Sequence, residues 1–285
     1  MSAELDIGSD LLADPEVEDL ELELLLEGIA RRYGSDFRGY ARSALKRRVR
    51  ARVRAEGLLT VSGFQERVLH DGPTMARLLG ALTTHDVGMF RDPGFYLAFR
   101  RRIVPLLRTY PFVRIWHAGC STGEEVYAMV ILLAEEGMAS RVRIYATDMA
   151  ESVLARAKVG TYPADRMPAW EARYKLAGGR GSLADWAEVG PAGVTFDPNL
   201  RENVVFGQHD LATDRSFNEF NVVLCRNVMI QFARALEQRV HALLHESLCR
   251  LGILGLGAHE SLRGSGHEER YEAVDAAQRL YRRVA

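Results

Sequence analysis

The stretch Val113-Arg-Ile-Trp-His-Ala-Gly-Cys-Ser-Thr-Gly-Glu-Glu-Val-Tyr-Ala-Met-Val-Ile-Leu-Leu133 constrains the fold more than any other part of the chain. Val113, Ile115 and Trp116 suit a buried strand. Gly119 and Gly123 permit backbone angles and a close ligand approach that a Cβ would block. Glu124 and Glu125 then open a helix, where carboxylates complement the positive end of the macrodipole. Met129, Leu132 and Leu133 give that helix an apolar face. A strand, a glycine loop and a helix in this order form the usual seat of a nucleotide-type ligand.

Charge narrows the ligand. A dinucleotide or ATP places phosphate at the helix N-terminus, often beside a lysine. Here two carboxylates stand there and no Gly-Lys-Ser/Thr is present. A pyrophosphate would be repelled, whereas S-adenosylmethionine, with its sulfonium and ammonium, would be attracted. Arg143-Ile-Tyr-Ala-Thr-Asp148 supports this, because it ends in a carboxylate at the second strand tip, where ribose hydroxyls are usually bound. The plainer reading keeps Asp148 as the N-cap of the following helix, with the glycine loop merely joining a strand to a helix.

Four segments together resemble the chemotaxis receptor methyltransferase (CheR) family. They are Leu82-Thr-Thr-His-Asp-Val-Gly-Met-Phe-Arg91; Trp116 to Glu125; Ala146-Thr-Asp-Met149 with Ala157-Lys-Val-Gly-Thr-Tyr162; and Cys225-Arg-Asn-Val-Met-Ile-Gln-Phe232. The resemblance covers roughly residues 20–285. It implies an α/β fold, a Rossmann-like class I methyltransferase domain preceded by a small all-helical domain. It implies an enzyme that uses S-adenosylmethionine to esterify glutamate side chains on bacterial chemoreceptors, leaving S-adenosylhomocysteine. The rival from another class is a non-catalytic adaptor that binds the same cofactor.

The resemblance also assigns residues. Arg91 orients the acceptor carboxylate, and Gln231 lies on the acceptor side. Glu125 meets the methionine ammonium, Asp148 takes the ribose, and Asp210 and Leu211 flank the adenine. Gly119 and Met149 are further cofactor-binding residues. Arg226 and Asn227 close the pocket beside the methionine portion, and Thr84 and His85 stand near its open side. The chain departs from the family's usual residues at His85 (Asn), Val87 (Thr), Met89 (Phe), Asp210 (Asn) and Gln231 (Tyr). Methyl transfer to a carboxylate needs no strong base, since glutamate is ionised near pH 7. His117 and Cys120 are accordingly read as a strand residue and a small loop residue.

The chain has 285 residues and a formal charge of −1, which gives no global steering toward nucleic acid. The near-zero total hides an asymmetry: ten acidic and no basic residues from Met1 to Glu27, then ten basic residues and one acidic, Asp36, from Arg31 to Arg54. Residues 1–16 read as a disordered acidic tail that could lie against the basic segment. Residues 17–82 read as a helical domain, 83–94 as a linker and 95–285 as the methyltransferase domain. One helix is expected over Phe37–Ala55, capped by Ser35 or Asp36, with Leu45, Val49 and Val53 on its apolar stripe. Arg42, Lys46, Arg50 and Arg54 form a basic row beside that stripe; the residues alone read as a solvated face or a protein-docking face, and the resemblance implies docking of acidic receptor helices. Another helix is expected over Phe95–Tyr110, and a further one over Leu236–Leu251. Residues 160–203 are rich in glycine and proline with weak periodicity, and the resemblance puts there a small β-subdomain that grips a receptor tail. A final hairpin is expected from Gly252–Ala258 and Tyr271–Val284. Cys120, Cys225 and Cys249 lack metal or disulfide spacing. With no apolar run of ~18 residues, the expectation is a cytoplasmic monomer without a metal, a nucleic-acid partner or membrane insertion.

Overall fold

The computed structural model describes residues 14–83 and 88–284. Residues 1–13 of the expected 1–16 tail, and Thr84, His85 and Val87, lie outside the described residues; Pro15 and Glu16, expected in the tail, belong to the first helix. The chain divides into two compact units. One runs to Thr83 and includes Gln231–Ala233; the other comprises Thr84–Ile230 and the chain from Arg234 onward.

The first unit holds α1 (Pro15–Tyr33), α2 (Arg42–Ala55), α3 (Val61–His70) and α4 (Gly72–Thr83). Helix α1 starts where Asp14 accepts a hydrogen bond from the Glu16 amide, so Pro15 and Glu16 are already helical. It stops at Gly34, whose φ of 76° is the left-handed C-cap conformation. Leu22, Leu25, Leu26 and Ile29 recur at helical spacing and are buried, as are Leu45, Val49 and Val53 on α2.

Helix α2 begins at Arg42, not at Phe37, and neither Ser35 nor Asp36 caps it; its N-cap is Ala41, which offers no side chain. The reason is a competing set of backbone bonds. The Ala41 amide donates to the Gln231 carbonyl (2.7 Å) and the Gly39 carbonyl accepts from the Ala233 amide (2.8 Å), which holds Tyr40 and Ala41 out of the helix. Tyr40 forms an antiparallel bridge with Phe232, their rings 4.9 Å apart, edge to face.

In the second unit, α5 (Pro93–Ala98), a π turn (Phe99–Ile103) and α6 (Val104–Leu107) make one helical run that ends three residues short of Tyr110. The wide turn ends two residues before Pro105, which has no N–H to donate. Then follow β1 (Val113–Ala118), α7 (Glu124–Glu135), β2 (Val142–Asp148), α8 (Glu151–Val159), β3 (Thr161–Tyr162), α9 (Met167–Leu176), β4 (Ala187–Gly190), β5 (Gly193–Phe196), β6 (Val204–Gln208), β7 (Phe220–Cys225), α10 (Arg234–Ser247), β8 (Leu248–Leu256), β9 (Tyr271–Asp275) and β10 (Leu280–Arg283). The main sheet has the order β6-β2-β1-β7-β8-β10-β9. Its first five strands are parallel, and β10 runs antiparallel to both neighbours. From β1 the chain steps outward to β2 and β6, then returns to place β7 on the other side of β1. The tips of β1 and β7 therefore flank the topological switch point, where open α/β sheets bind ligands.

One further expectation changes. The helix expected to Leu251 ends at Ser247, and Leu248–Leu256 becomes β8. Its apolar residues serve either structure, and pairing with β7 decides the matter, with an irregular register near Leu251, whose φ is 64°. Residues 160–203 hold a three-stranded antiparallel sheet of order β3-β5-β4, together with α9. Its strands are two to four residues long, too short to show the alternation that marks a strand in sequence.

Candidate functional site

Three loops build the switch point: the one after β1, the end of β2 and the one after β7. After β1, Gly119, Ser121 and Gly123 all have positive φ, of 76°, 49° and 91°. The Gly119 and Cys120 amides donate to the Thr147 carbonyl at 2.9 and 2.8 Å, tying the loop to β2. A Cβ on Gly119 would lie 2.6 Å from Val228 Cγ2, so only glycine lets the β1 and β7 loops meet this closely.

Asp148 closes the second side. Ala150, not Asp148, is the N-cap of α8. The Asp148 carboxylate instead accepts from the Ser121 amide (3.0 Å) and the Ala150 amide (3.1 Å), bridging two loops. It is buried, and burial pushes its pKa up to about 6 against the pull of those donors. At neutral pH it is an ionised acceptor with lone pairs left for a ligand diol. Gln208, its register partner on β6, donates to the Met149 carbonyl (3.0 Å). Asp210 follows on that neighbouring tip, its Oδ1 accepting from the Ala212 amide (2.8 Å), with Leu211 buried beside it. Met149, Asp210 and Leu211 thus border one corner of the crevice with Asp148.

The two carboxylates that open α7 have different fates. Glu124 is buried, accepts from the Thr122 hydroxyl (2.6 Å) and lies 3.7 Å from Arg166. Glu125 pairs with Arg226. Burial raises the Glu125 pKa, while the Arg226 and Arg91 charges oppose the rise. Arg226 also donates to Asp92 (2.9 Å) and to the Arg91 carbonyl (3.2 Å), and its guanidinium lies 4.1 Å from the Phe95 ring centroid. It is thereby fixed as a strut between the Arg91–Asp92 turn and α7. Arg91 sits between Phe90 (φ 50°) and Asp92 (φ 55°), two left-handed residues that are not glycine. Such strain is held only where its surroundings enforce it.

After β7, Asn227 is also left-handed, with φ 60°. Its side chain is buried and neither amide atom has a protein partner. His117 is buried in β1, and burial pushes it down to about 3, so it is neutral at pH 7. Burial likewise raises the Cys120 thiol, which stays protonated.

The structure brings Gly119, Glu125, Asp148, Met149, Asp210, Leu211, Arg226, Asn227 and Arg91 together in the α/β unit, and groups Gln231 with the helical unit. There the Gln231 side-chain oxygen accepts from Arg48 Nη1 (3.0 Å), and Arg48 donates to the Leu82 carbonyl as well. The basic row meets partners on α1. Arg42 pairs with Glu23 (2.7 Å), Lys46 with Asp19 (2.6 Å) and Glu18 (3.5 Å), and Arg50 with Glu18. Arg54 lines a groove with Val17, Glu21 and Leu59. Sequence reasoning missed two organisers. Arg48 was one of many arginines. Glu260 follows Gly257-Ala-His without any periodic signal, yet accepts from three backbone amides.

The residues fit S-adenosylmethionine on the structure's own terms. Glu125 stands in the first turn of α7 where a cation would lie, the buried Asp148 carboxylate ends β2, a glycine thins the floor, and the Asn227 amide is buried and unpartnered. Among the described residues no cluster of His, Cys, Asp and Glu could hold a metal.

Comparison with known proteins agrees. The family described as CheR methyltransferase, SAM binding domain, matches residues 86–279, and the CheR methyltransferase all-alpha domain matches residues 20–83. Cher3 of Pseudomonas putida is 47% identical over 265 residues, covering 93% of this chain and 97% of that one. A chemotaxis protein methyltransferase of Listeria monocytogenes is 26% identical over 250 residues, covering 86% and 92%. Chemotaxis protein methyltransferase 1 of Pseudomonas aeruginosa is 28% identical over 223 residues, covering 73% and 77%.

Proposed function

The chain belongs to the CheR methyltransferase family, and from that premise we propose that it methylates glutamate side-chain carboxylates of a chemoreceptor or a similar signalling protein, in the cytoplasm and as a monomer. S-adenosylmethionine is its cofactor, and when bound it supplies a methyl group on a cationic sulfur. The observation that carries the reading is the charge arrangement at the switch point, with Glu125 and Asp148 on the cofactor side and the Arg91 turn held beside Glu125 through Arg226. The names of the Listeria and Pseudomonas aeruginosa relatives support the chemotaxis setting.

In this proposal Glu125 and Asp148 hold the ammonium and the ribose diol. Asn227 meets the amino-acid end, while Asp210 and Leu211 flank the adenine. Thr84 and His85 keep their proposed place at the open side. Arg91 grips one oxygen of the acceptor carboxylate and leaves the other to attack. Gln231 addresses the acceptor through its amide nitrogen. Because arginine can only donate, its bond to the Gln231 oxygen leaves the NH₂ end as the free donor. No general base is required, so alignment and exclusion of water carry the catalysis. Arg42, Lys46, Arg50 and Arg54 are proposed to dock an acidic receptor helix, exchanging their half-buried to exposed pairs with α1, which are individually weak. The β3-β5-β4 sheet is proposed to grip a receptor tail. Among the described residues no helix is long and apolar enough to cross a membrane.

The test is to incubate the protein with methyl-labelled S-adenosylmethionine and membranes of the source cell, then map the label. Base-labile label on receptor glutamates is expected. Label on another residue type would overturn the substrate assignment. No label on any protein would favour the cofactor-binding adaptor, a reading kept in play by Gln231 standing where the family usually has tyrosine.

A further inference from the structure

Asn227 is the one residue of the β7 loop with a left-handed backbone and a wholly unpartnered, buried side-chain amide. Something must hold it there. The Asn227 amide donates to Glu260 Oε2 (2.9 Å), the Gly257 amide to the same oxygen (2.7 Å), and the Met229 amide to Oε1 (2.7 Å). A single carboxylate therefore ties both ends of the Asn227–Met229 turn to the end of β8. Glu260 is 4% exposed, with no ion-pair partner within 4 Å among the described residues. The approach is close: a Cβ on Gly257 would lie 2.7 Å from the Asn227 nitrogen and 2.9 Å from its Nδ2. An ionised carboxylate is an acceptor only, and suits three converging N–H groups as no other side chain of its size does.

We propose that Glu260 is a positioning residue for the cofactor. It locks the β7 turn so that the Asn227 amide is presented, already oriented, to the amino-acid end of S-adenosylmethionine. The buried amide then finds in the ligand the partners it lacks in the protein: its oxygen faces an ammonium donor and its nitrogen a carboxylate acceptor. Burial raises the Glu260 pKa, and the amide donors oppose the rise. The inference rests on the cofactor reading of the site and not on the glutamate acceptor.

The test measures S-adenosylhomocysteine binding by calorimetry at pH 7.5, well below the melting midpoint of each variant. Glu260→Gln keeps the shape but sets an NH₂ against one of the amide donors. It is expected to weaken binding about tenfold or more, the scale of one lost charge-assisted bond. Asn227→Ala is expected to weaken it similarly. The double variant should be no weaker than the weaker single one, because both remove the same contact. A merely structural Glu260 would lower the melting midpoint and leave the affinity of the folded protein unchanged, or would add fully to Asn227→Ala. Either result overturns the proposal, as does wild-type affinity in Asn227→Ala. If Glu260→Gln yields too little folded protein, Glu260→Asp carries the same expectations at smaller size. None of these readouts requires methyl transfer, so a failure to find a glutamate acceptor would leave them intact.

Discussion

Arg91 and Asp148 carry the two residue-scale predictions. Arg91→Ala removes the donor proposed for the acceptor carboxylate and leaves Asp148 and Asn227 in place. Loss of such a donor typically lowers turnover ~10²–10³-fold, and S-adenosylhomocysteine affinity should fall far less. Arg91→Lys should recover only part of the rate, since it returns charge without the fork. Unchanged turnover in Arg91→Ala would show that the acceptor is held by another group. Asp148 predicts a pH response with two opposite signs. Its folded pKa stands at about 6, above the ordinary 3.8. The apo fold thus binds the extra proton, and this group's contribution to stability is lost as pH rises through that window. As the proposed acceptor of the ribose diol, Asp148 must in contrast be ionised, so cofactor affinity should fall as pH drops below about 6. Calorimetry across pH 5–8 checks this, and Asp148→Asn should bind weakly with that pH dependence removed. Gly119, Glu125 and Asp148 were legible as candidates at this scale because they follow from local chemistry at fixed offsets from a strand. Glu260 was not, because its partners are backbone amides distant in sequence, and backbone amides have no residue letter.

At the scale of elements, the basic row on α2 was legible but its partners were not. Four basic residues spaced by four predict a charged stripe. Only the fold shows that Glu18, Asp19 and Glu23 on α1 face Arg42, Lys46 and Arg50. The Arg50 contact lowers the Glu18 pKa and the Lys46 contact lowers that of Asp19. This sharpens the docking test. If an acidic receptor helix uses the row, it competes with α1. Replacing Glu18, Asp19 and Glu23 by Gln, Asn and Gln should then lower the KM for receptor, with kcat and cofactor affinity preserved. Reversing Arg42, Lys46 and Arg50 to Glu should raise KM, and the attraction should fade with salt, as exposed charges are screened beyond ~8–10 Å. If KM ignores both sets while only the melting midpoint moves, the row is a strut between helices. The start of α2 and the short β3-β5-β4 strands were illegible for a related reason. Both are decided by pairing with residues far along the chain, and strands of two to four residues leave no period to read.

At the scale of the molecule, the alternation of short apolar strands with helices announced a parallel sheet, and the sheet order then places the β1 and β7 loops at its switch point. What sequence order concealed is that Gln231–Ala233, three residues inside the α/β region, belong to the helical unit through backbone bonds to Gly39 and Ala41. The switch point makes a whole-molecule prediction about ligand class. Its crevice presents Asp148 and the Glu125–Arg226 pair, and the first turn of α7 carries Glu124 and Glu125, where a dinucleotide would need its pyrophosphate. A ligand bound only by the folded chain stabilises it in proportion to the logarithm of its concentration over Kd. S-adenosylhomocysteine at about 100 times Kd should therefore add ~2.7 kcal/mol and raise the melting midpoint by roughly 5–10 °C. NAD and ATP at the same concentration should leave the midpoint where it is, because their phosphates meet carboxylates at the helix N-terminus. The contrast holds whether or not the chain turns over. A shift with NAD as large as that with S-adenosylhomocysteine would mean that the α7 carboxylates do not govern what enters the crevice, and the charge argument for the cofactor would fail.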